Sequence, residues 1–166
     1  MYEFVIGCDN AAINLKNALI DHLKDRCHFH DLGCATRDDP VNYPTIASLA
    51  CNEIINSGYT KRGILICGTG IGMAISANKF PGIRAAVCHD GFSADRSILS
   101  NDVNVMCFGE RVIGVELAKK IAREWIDLKY IDGPSTPKIL EIFEIEAKNM
   151  KNAEILRGKS KWANTQ

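Results

Sequence analysis

Apolar and polar residues alternate with two different periods along the chain, and the period changes repeatedly. Short apolar runs of strand length predict five β-strands, at residues 2–8, 27–32, 64–66, 84–88 and 103–108. Between these runs, apolar side chains recur three or four residues apart, as they do on one face of an α-helix. Leu15, Leu19 and Leu23 mark the first helix, and this pattern places Lys16 on its outer face.

Further helices are predicted in the same way, at residues 44–57, from residue 73 onward, at 92–101, at 116–128 and at 138–150. Tyr43 and Pro44 mark the start of the second helix, because proline is favoured in the first turn. In the helix at 116–128, Leu117, Ile121 and Trp125 are expected to face inward. Strands that alternate with helices indicate a parallel sheet covered on both faces, which is a doubly wound α/β fold.

Length and composition limit the classes of protein that this chain can belong to. We expect one domain at residues 1–150 of the 166, followed by a polar tail at 151–166. Twenty basic and twenty acidic residues cancel, so nothing favours a nucleic-acid or membrane-surface partner. Seven cysteines without a Cys-x-x-Cys pair argue against a disulfide framework and a zinc site. No apolar run is long enough to span a membrane and no basic signal region is present, so a cytoplasmic location is expected.

The stretch around Cys67 is the strongest candidate for a functional site. A predicted buried strand ends at Cys67, and Gly68, Gly70 and Gly72 follow before a helix begins near Met73. Such glycines let backbone N–H groups approach an anion, and a helix start adds positive potential. A thiol in this position tends toward thiolate, the form that acts as a base or nucleophile. An isolated strand cysteine would by default be an inert core residue, but the adjacent glycines favour a functional role.

Other polar groups are expected at the same edge of the sheet. In a doubly wound fold, ligands bind at the carboxyl ends of the strands. Besides the thiol, these ends carry acidic, amide, imidazole and guanidinium groups, at Asp9, Asn10, His89, Asp90, Glu110 and Arg111. The glycine loop is therefore predicted to lie among charged side chains that would orient a small or phosphorylated ligand.

Several kinds of chemistry use a glycine loop. A dinucleotide site would have its third glycine where Met73 stands, although Asp90 follows about twenty residues on. A P-loop would need a Lys-Ser or Lys-Thr pair directly after its glycines, and no such pair follows Gly72. An acyl-transfer cysteine would need a paired histidine, for which His89 is a candidate. Proton abstraction next to a carbonyl also fits, with Cys67 as base, N–H groups holding the enediolate and Thr69 passing a proton between oxygens. Such an aldose–ketose isomerisation needs no metal and no redox cofactor.

Ordered motifs extend over most of the chain. The strongest is Gly63-Ile-Leu-Ile-Cys-Gly-Thr-Gly-Ile-Gly72, and others lie at residues 7–9, 43–44, 76–79, 81–85, 89–90, 92–94, 101–102, 104–105 and 109–114. Together they resemble the type B ribose-5-phosphate isomerases and the related galactose-6-phosphate isomerase subunits. The resemblance covers residues 2–130.

The resemblance implies a Rossmann-like three-layer α/β/α sandwich with a five-stranded parallel sheet. It also implies a homodimer or homotetramer with active sites shared between subunits, a sugar phosphate as ligand, and no cofactor. By similarity, Cys67 is the catalytic base, Thr69 assists proton transfer, and Gly68, Gly70 and Gly72 form the anion hole. The implied binding residues are Asp9, Asn10, Tyr43, Ser100 and Asn101 for the sugar, and Arg111 and Lys138 for the phosphate. The family pattern further implies that the arginine reaches into the partner subunit's site.

The sequence departs from the family pattern where ring opening and phosphate binding are expected. Asn10 and Ser100 stand where these isomerases usually have histidine, and the histidine at the second position is the one assigned to ring opening. Of two C-terminal arginines, one is lost and the other is replaced by Lys138, which cannot make a bidentate contact. A tetrose 4-phosphate is open-chain and needs no ring opening. Erythrose 4-phosphate and ribose 5-phosphate are therefore both expected as candidate aldoses.

Two functions from other classes stay open at this point. The altered residues are compatible with a non-catalytic module that only binds a sugar phosphate, and the glycine loop is compatible with a nucleotide-binding domain. The intact thiol at Cys67 counts against a binding module, because binding alone does not require it. Hydrogen exchange at C2 of a bound sugar would separate an enzyme from a binder.

Overall fold

The computed structural model describes residues 1–150, and the predicted tail at 151–166 lies outside the described residues. Residues 1–131 form one compact unit, and a second unit begins at Asp132. The first contains the sheet and five helices, and the second contains helix α6 (Thr136–Met150). The expectation of a single domain at residues 1–150 stays a prediction.

The predicted five-stranded parallel sheet is confirmed, with the strand order β2-β1-β3-β5-β4. Its strands are β1 (Tyr2–Cys8), β2 (Cys27–Asp31), β3 (Arg62–Cys67), β4 (Ala85–Val87) and β5 (Val105–Gly109). The inner strands are buried almost throughout. Because a parallel sheet is covered on both faces, these strands appear in the sequence as nearly continuous apolar runs.

Helices cover both faces of the sheet, which confirms the three-layer α/β/α sandwich. In the first unit they are α1 (Ile13–Leu23), α2 (Tyr43–Asn56), α3 (Ile71–Ala77), α4 (Gly91–Asn101) and α5 (Val115–Trp125). Helix α5 packs beside α1 and α4, whereas α2 packs beside α3. Right-handed crossovers explain this division, because connections that run in opposite directions along the sheet must cross it on opposite faces.

The chain adds β2 on one side of β1 and β3 on the other, so the strand order reverses between β1 and β3. Strand β1 pairs with β2 on one side and with β3 on the other. The N–H of Asp9 donates to the carbonyl of Ile66 at 3.3 Å, so the carboxyl ends of the two strands stay together. Doubly wound folds bind their ligands at such a switch point. Asp9 and Cys67 both lie there.

One predicted orientation in α5 is wrong. Leu117 is expected to face inward, but it is 45% exposed. The buried face of α5 consists of Ala118, Ile121, Ala122 and Trp125. Successive helix residues point about 100° apart, so Leu117 falls off this face even though it precedes Ile121 by four residues. The apolar pattern identifies the helix correctly but not the centre of its buried stripe.

A second predicted orientation, that of Lys16 on α1, is also wrong. The residue is only 4% exposed, although the pattern places it on the outer face. Its Nζ lies 2.6 Å from Asp31 Oδ2 and donates to the carbonyl of Cys34 at 3.4 Å. The long side chain therefore reaches past the helix to an acidic partner, which compensates for burial of the ammonium group.

Helix α6 begins with a local hydrogen bond, in which the N–H of Gly133 donates to Thr136 Oγ1 at 2.9 Å. Lys138 is exposed in the first turn, and Ile139 is buried. None of the helices within residues 1–150 is both long and apolar enough to cross a membrane. All seven cysteines of the chain are buried free thiols.

Candidate active site

Cys67 is the last residue of β3 and is 5% exposed. Its Sγ accepts a hydrogen bond from the N–H of Gly70 at 3.1 Å. Its carbonyl accepts a hydrogen bond from the N–H of Glu110 at 3.0 Å, and the residue pairs in register with Gly109 of β5. The thiol is thus fixed at the base of the glycine loop, with a backbone donor directed at the sulfur.

Two of the loop glycines are required by close contacts. Gly70 has a left-handed backbone, with φ of 78°, and a Cβ there would lie 2.9 Å from the carbonyl carbon of Phe108. A Cβ on Gly72 would lie 2.6 Å from Cε2 of Tyr43. The ring of Tyr43 therefore packs directly on the start of α3, and its predicted contact with the sugar stays a prediction. Any larger residue would displace the loop or the ring.

The loop presents backbone donors next to the thiol. Among residues 1–150, no group accepts a hydrogen bond from the N–H of Gly68 or of Gly72. The first turn of a helix leaves its N–H groups without partners inside the helix, as at Gly72, and Gly68 lies in the loop before α3. Both N–H groups are therefore able to bind an anionic oxygen. Thr69 Oγ1 accepts the N–H of Ile71 at 3.4 Å, which leaves its hydroxyl hydrogen available for donation.

Asp9 and Asn10 follow β1 at the same edge of the sheet. The Oδ1 of Asp9 accepts the N–H of Ala11 at 3.1 Å, and burial raises the pKa of this carboxyl. Asn10 Nδ2 donates to the carbonyl of Asp39 at 3.1 Å, which ties down the loop that leads to Tyr43. In the described part of the chain, no three His, Cys, Asp or Glu side chains are grouped as metal ligands.

Arg111 lies over the glycine loop of its own chain. A methyl group on Gly68 would stand 3.6 Å from the Cδ, Nε and Cζ atoms of the arginine. The backbone N–H of Arg111 also donates to the carbonyl of Gly68 at 3.1 Å. The expectation that this arginine reaches into a partner subunit's site is not tested by a single chain and stays a prediction.

Ser100 and Asn101 lie at the opposite edge of the sheet from Cys67. Helix α4 starts near the carboxyl edge, where Asp90 accepts the N–H of Ser93 at 2.7 Å, and its eleven residues run back for about 16 Å. At its end, the hydroxyl of Ser100 accepts a hydrogen bond from the Arg96 guanidinium. One chain therefore does not bring these two predicted residues to the thiol. Lys138 belongs to the second unit, and its predicted role stays a prediction.

Two contacts at the carboxyl edge of the sheet, where Cys67 lies, could not be predicted from the sequence. His89 Nε2 accepts the N–H of Gly109 at 2.9 Å, and burial lowers the pKa of the imidazole. The ring thus holds the end of β5 instead of pairing with Cys67 for acyl transfer. Glu110 Oε2 accepts the N–H of Leu15 at 2.9 Å, at the start of α1. The sequence gives one indication of this contact. Helix α1 follows Ala12, whose side chain cannot cap it, so a capping group must come from elsewhere in the chain.

The fold and this site define an α/β protein with a thiol and free backbone donors at the sheet's switch point, an arrangement suited to a small anionic ligand. The sequence profile of the Ribose/Galactose Isomerase family matches residues 4–142. The chain belongs to this family. The predicted resemblance and the predicted activity class, an aldose–ketose isomerase of sugar phosphates, are both confirmed.

Three similar proteins illustrate the match. The D-erythrulose-4-phosphate isomerase 2 of Mycolicibacterium smegmatis is 47% identical over 131 residues, which cover 77% of this chain and 86% of that protein. The ribose-5-P isomerase B of Listeria innocua is 45% identical over 148 residues, 89% of this chain and 99% of that protein. The solved structure of Mycoplasma genitalium ribose-5-phosphate isomerase B with bound ribulose-5-phosphate has a TM-score of 0.84 at 28% identity, and covers 89% of this chain and 98% of that one.

Proposed function

We propose that Cys67 is the base that moves a proton between C2 and C1 of an open-chain sugar phosphate. The single observation that carries this proposal is the placement of its Sγ beside a loop whose Gly68 and Gly72 N–H groups donate to no acceptor within residues 1–150. The thiolate removes the proton from C2 of the aldose, and the electrons of that bond form the enediolate. The backbone donors hold the enediolate oxygens where negative charge develops.

Thr69 completes the proton transfers. Its hydroxyl passes the proton between the oxygens on C1 and C2, and the Cys67 thiol then returns its proton to C1 to give the ketose. The exposed hydroxyl lies on the loop between Gly68 and Gly70. Arg111, which lies over Gly68, binds the phosphate, with Lys138 as a second cation. Asp9 and Tyr43 contact the sugar hydroxyls.

The proposed substrate pair is D-erythrose 4-phosphate and D-erythrulose 4-phosphate. Ser100 takes the place of a ring-opening histidine, and a serine hydroxyl that accepts a hydrogen bond from Arg96 is a poor acid or base at neutral pH. An open-chain tetrose phosphate does not need that step. Sequence identity does not separate the two substrates, since it is 47% with the mycobacterial D-erythrulose-4-phosphate isomerase 2 and 45% with the Listeria ribose-5-P isomerase B, so the choice rests on Ser100.

We further propose a cytoplasmic homodimer or homotetramer whose sites are shared between subunits. Cys67 and the Ser100–Asn101 pair lie at opposite edges of one sheet, so a site that uses both needs a second copy. Ile71 and Ile75, each 57% exposed on α3 beside the glycine loop, offer an apolar face for that copy. Seven free thiols are typical of proteins in a reducing compartment.

The direct test compares kcat/KM for D-erythrose 4-phosphate and ribose 5-phosphate in the same isomerase assay. We expect a preference of at least about tenfold for the tetrose phosphate, the equivalent of roughly 1.4 kcal/mol. A preference for ribose 5-phosphate would overturn the tetrose assignment and would mean that another group opens the ring. Turnover of neither sugar would contradict the isomerase proposal for these substrates.

A further inference from the structure

Glu110 connects the start of α1 to the loop after β5. Its Oε2 accepts the N–H of Leu15 at 2.9 Å, across 95 residues of sequence. Helix α1 has Ala12 at its N-cap position and therefore no capping side chain of its own. A carboxylate suits this place, because it satisfies a free N–H and complements the positive end of the helix.

The backbone around Glu110 is tied to the proposed catalytic strand. Its N–H donates to the carbonyl of Cys67 at 3.0 Å, and the N–H of Arg111 donates to the carbonyl of Gly68 at 3.1 Å. Glu110 is thus attached to β3 through its backbone and to α1 through its side chain. The residue that follows it carries the guanidinium that lies over the glycine loop.

A third contact shows where the charge of Glu110 is directed. Its Oε1 lies 3.9 Å from Nη2 of Arg37, an exposed residue in the loop that Asn10 ties down through Asp39. Glu110 and Asp9 are both acidic and stand at the edge where a phosphate would bind. The carboxylate of Glu110, however, is committed to Leu15 and Arg37 and leaves Arg111 for the ligand.

We propose that Glu110 is a positioning residue, which fixes the loop after β5 to α1 and so holds Arg111 in place to bind the substrate's phosphate. The inference rests on the proposed role of Arg111 in phosphate binding. Without the side-chain anchor, the loop loses its hydrogen bond to α1 and keeps its backbone hydrogen bonds to β3. Arg111 must then be ordered at the moment of binding, which weakens binding without changing the chemistry at Cys67.

Glu110→Ala and Glu110→Gln test this proposal, with KM and kcat measured for whichever of the two sugar phosphates the wild type converts. We expect Glu110→Ala to raise KM about tenfold and to leave kcat within about twofold. Glu110→Gln keeps an oxygen that accepts the N–H of Leu15, so we expect KM close to that of the wild type. Asp127→Ala is the control for general destabilisation, because Asp127 accepts hydrogen bonds from Tyr2 and Arg26 at the amino edge of the sheet.

A double-mutant cycle separates positioning from a purely structural role. In an Arg111→Ala background, Glu110→Ala should raise KM by no more than about twofold, because the group that it positions is absent. Equal effects in both backgrounds, or an unchanged KM in the single variant, would overturn the proposal. If the wild type converts neither sugar, the Kd of inorganic phosphate measured by calorimetry replaces KM in the same cycle. In that case the proposed function fails while the role of Glu110 is still decided.

Discussion

Gly109 leaves a space at the end of β5 that the glycine loop fills. A Cβ at this position would lie 2.6 Å from both the Cα and the carbonyl carbon of Thr69, and 2.7 Å from its carbonyl oxygen. All three are backbone atoms, so no side-chain rotation relieves the contact. The placement of Thr69 and of the loop beside Cys67 therefore depends on the absence of one methyl group in a neighbouring strand.

We predict that Gly109→Ala lowers kcat/KM by at least about tenfold, because the loop must shift away from the thiol. The matched control is Gly114→Ala, since a Cβ on Gly114 meets no atom within 4 Å. Steady-state assays of both variants decide the point. Wild-type kcat/KM in Gly109→Ala would show that the loop geometry does not matter for turnover.

The residue types of the site could be predicted from the sequence, but their partners could not. Cys67 and its glycines form one continuous motif after a buried strand, so local pattern was enough to find them. The partners of Asn10, His89 and Glu110 lie 29, 20 and 95 residues away, and each accepts or donates through a backbone atom. A backbone partner leaves no trace in residue identity, which is why these roles became visible only in the structure.

At the scale of whole elements, the period of the apolar pattern predicted every strand and helix. Most predicted ends of these elements lie within one to three residues of the observed ends. The order of the strands was not predicted. Strand β4 has only three residues, all partly exposed, whereas β5 is buried throughout. A short, partly exposed strand suits the edge of a sheet, and a buried strand suits its interior. Burial therefore explains why β5 lies between β3 and β4, although β4 comes first along the chain.

Arg62, at the amino end of β3, binds the end of α5. Its guanidinium donates to the carbonyls of Trp125, Ile126 and Leu128. It also stacks over the rings of Trp125 and Phe4, with its Cζ 4.7 Å and 5.0 Å from the ring centres. The last carbonyls of a helix have no partner within it, so one side chain here satisfies several of them.

We predict that Arg62→Met lowers the free energy of unfolding by about 2 kcal/mol, since it leaves partly buried carbonyls without a donor. Arg26→Met is the control, because it removes a more exposed ion pair with Asp127 and should cost less than about 1 kcal/mol. Urea denaturation measures both. We expect kcat/KM to be retained, since Arg62 lies at the opposite end of β3 from Cys67. Equal losses of stability would contradict this account of the end of α5.

At the scale of the whole molecule, the proposed assembly follows from the distance between the two halves of the site. We predict that Ile75→Glu, on the exposed face of α3, shifts the protein toward a monomer of 18.3 kDa and lowers kcat/KM with it. A charge at this place would have to be desolvated on association. Leu117→Glu is the control, because α5 covers the other face of the sheet.

Light scattering after size-exclusion chromatography gives the mass of each variant. An Ile75→Glu protein with the same mass as the wild type would place the subunit contact elsewhere. A wild-type protein that is monomeric and fully active would contradict the shared site altogether, because Ser100 and Asn101 would then have no route to Cys67.

The central claim is that Cys67 carries a proton between two carbons of a bound sugar phosphate. The most direct measurement is deuterium incorporation at C2 of D-erythrose 4-phosphate in D₂O, followed by mass spectrometry for the wild type and for Cys67→Ala. We predict incorporation by the wild type and a loss of about a hundredfold or more in the variant, the size of a general-base contribution. Exchange at the wild-type rate without the thiol would contradict the account, and a wild type that binds the sugar but exchanges no hydrogen would make the protein a binding module.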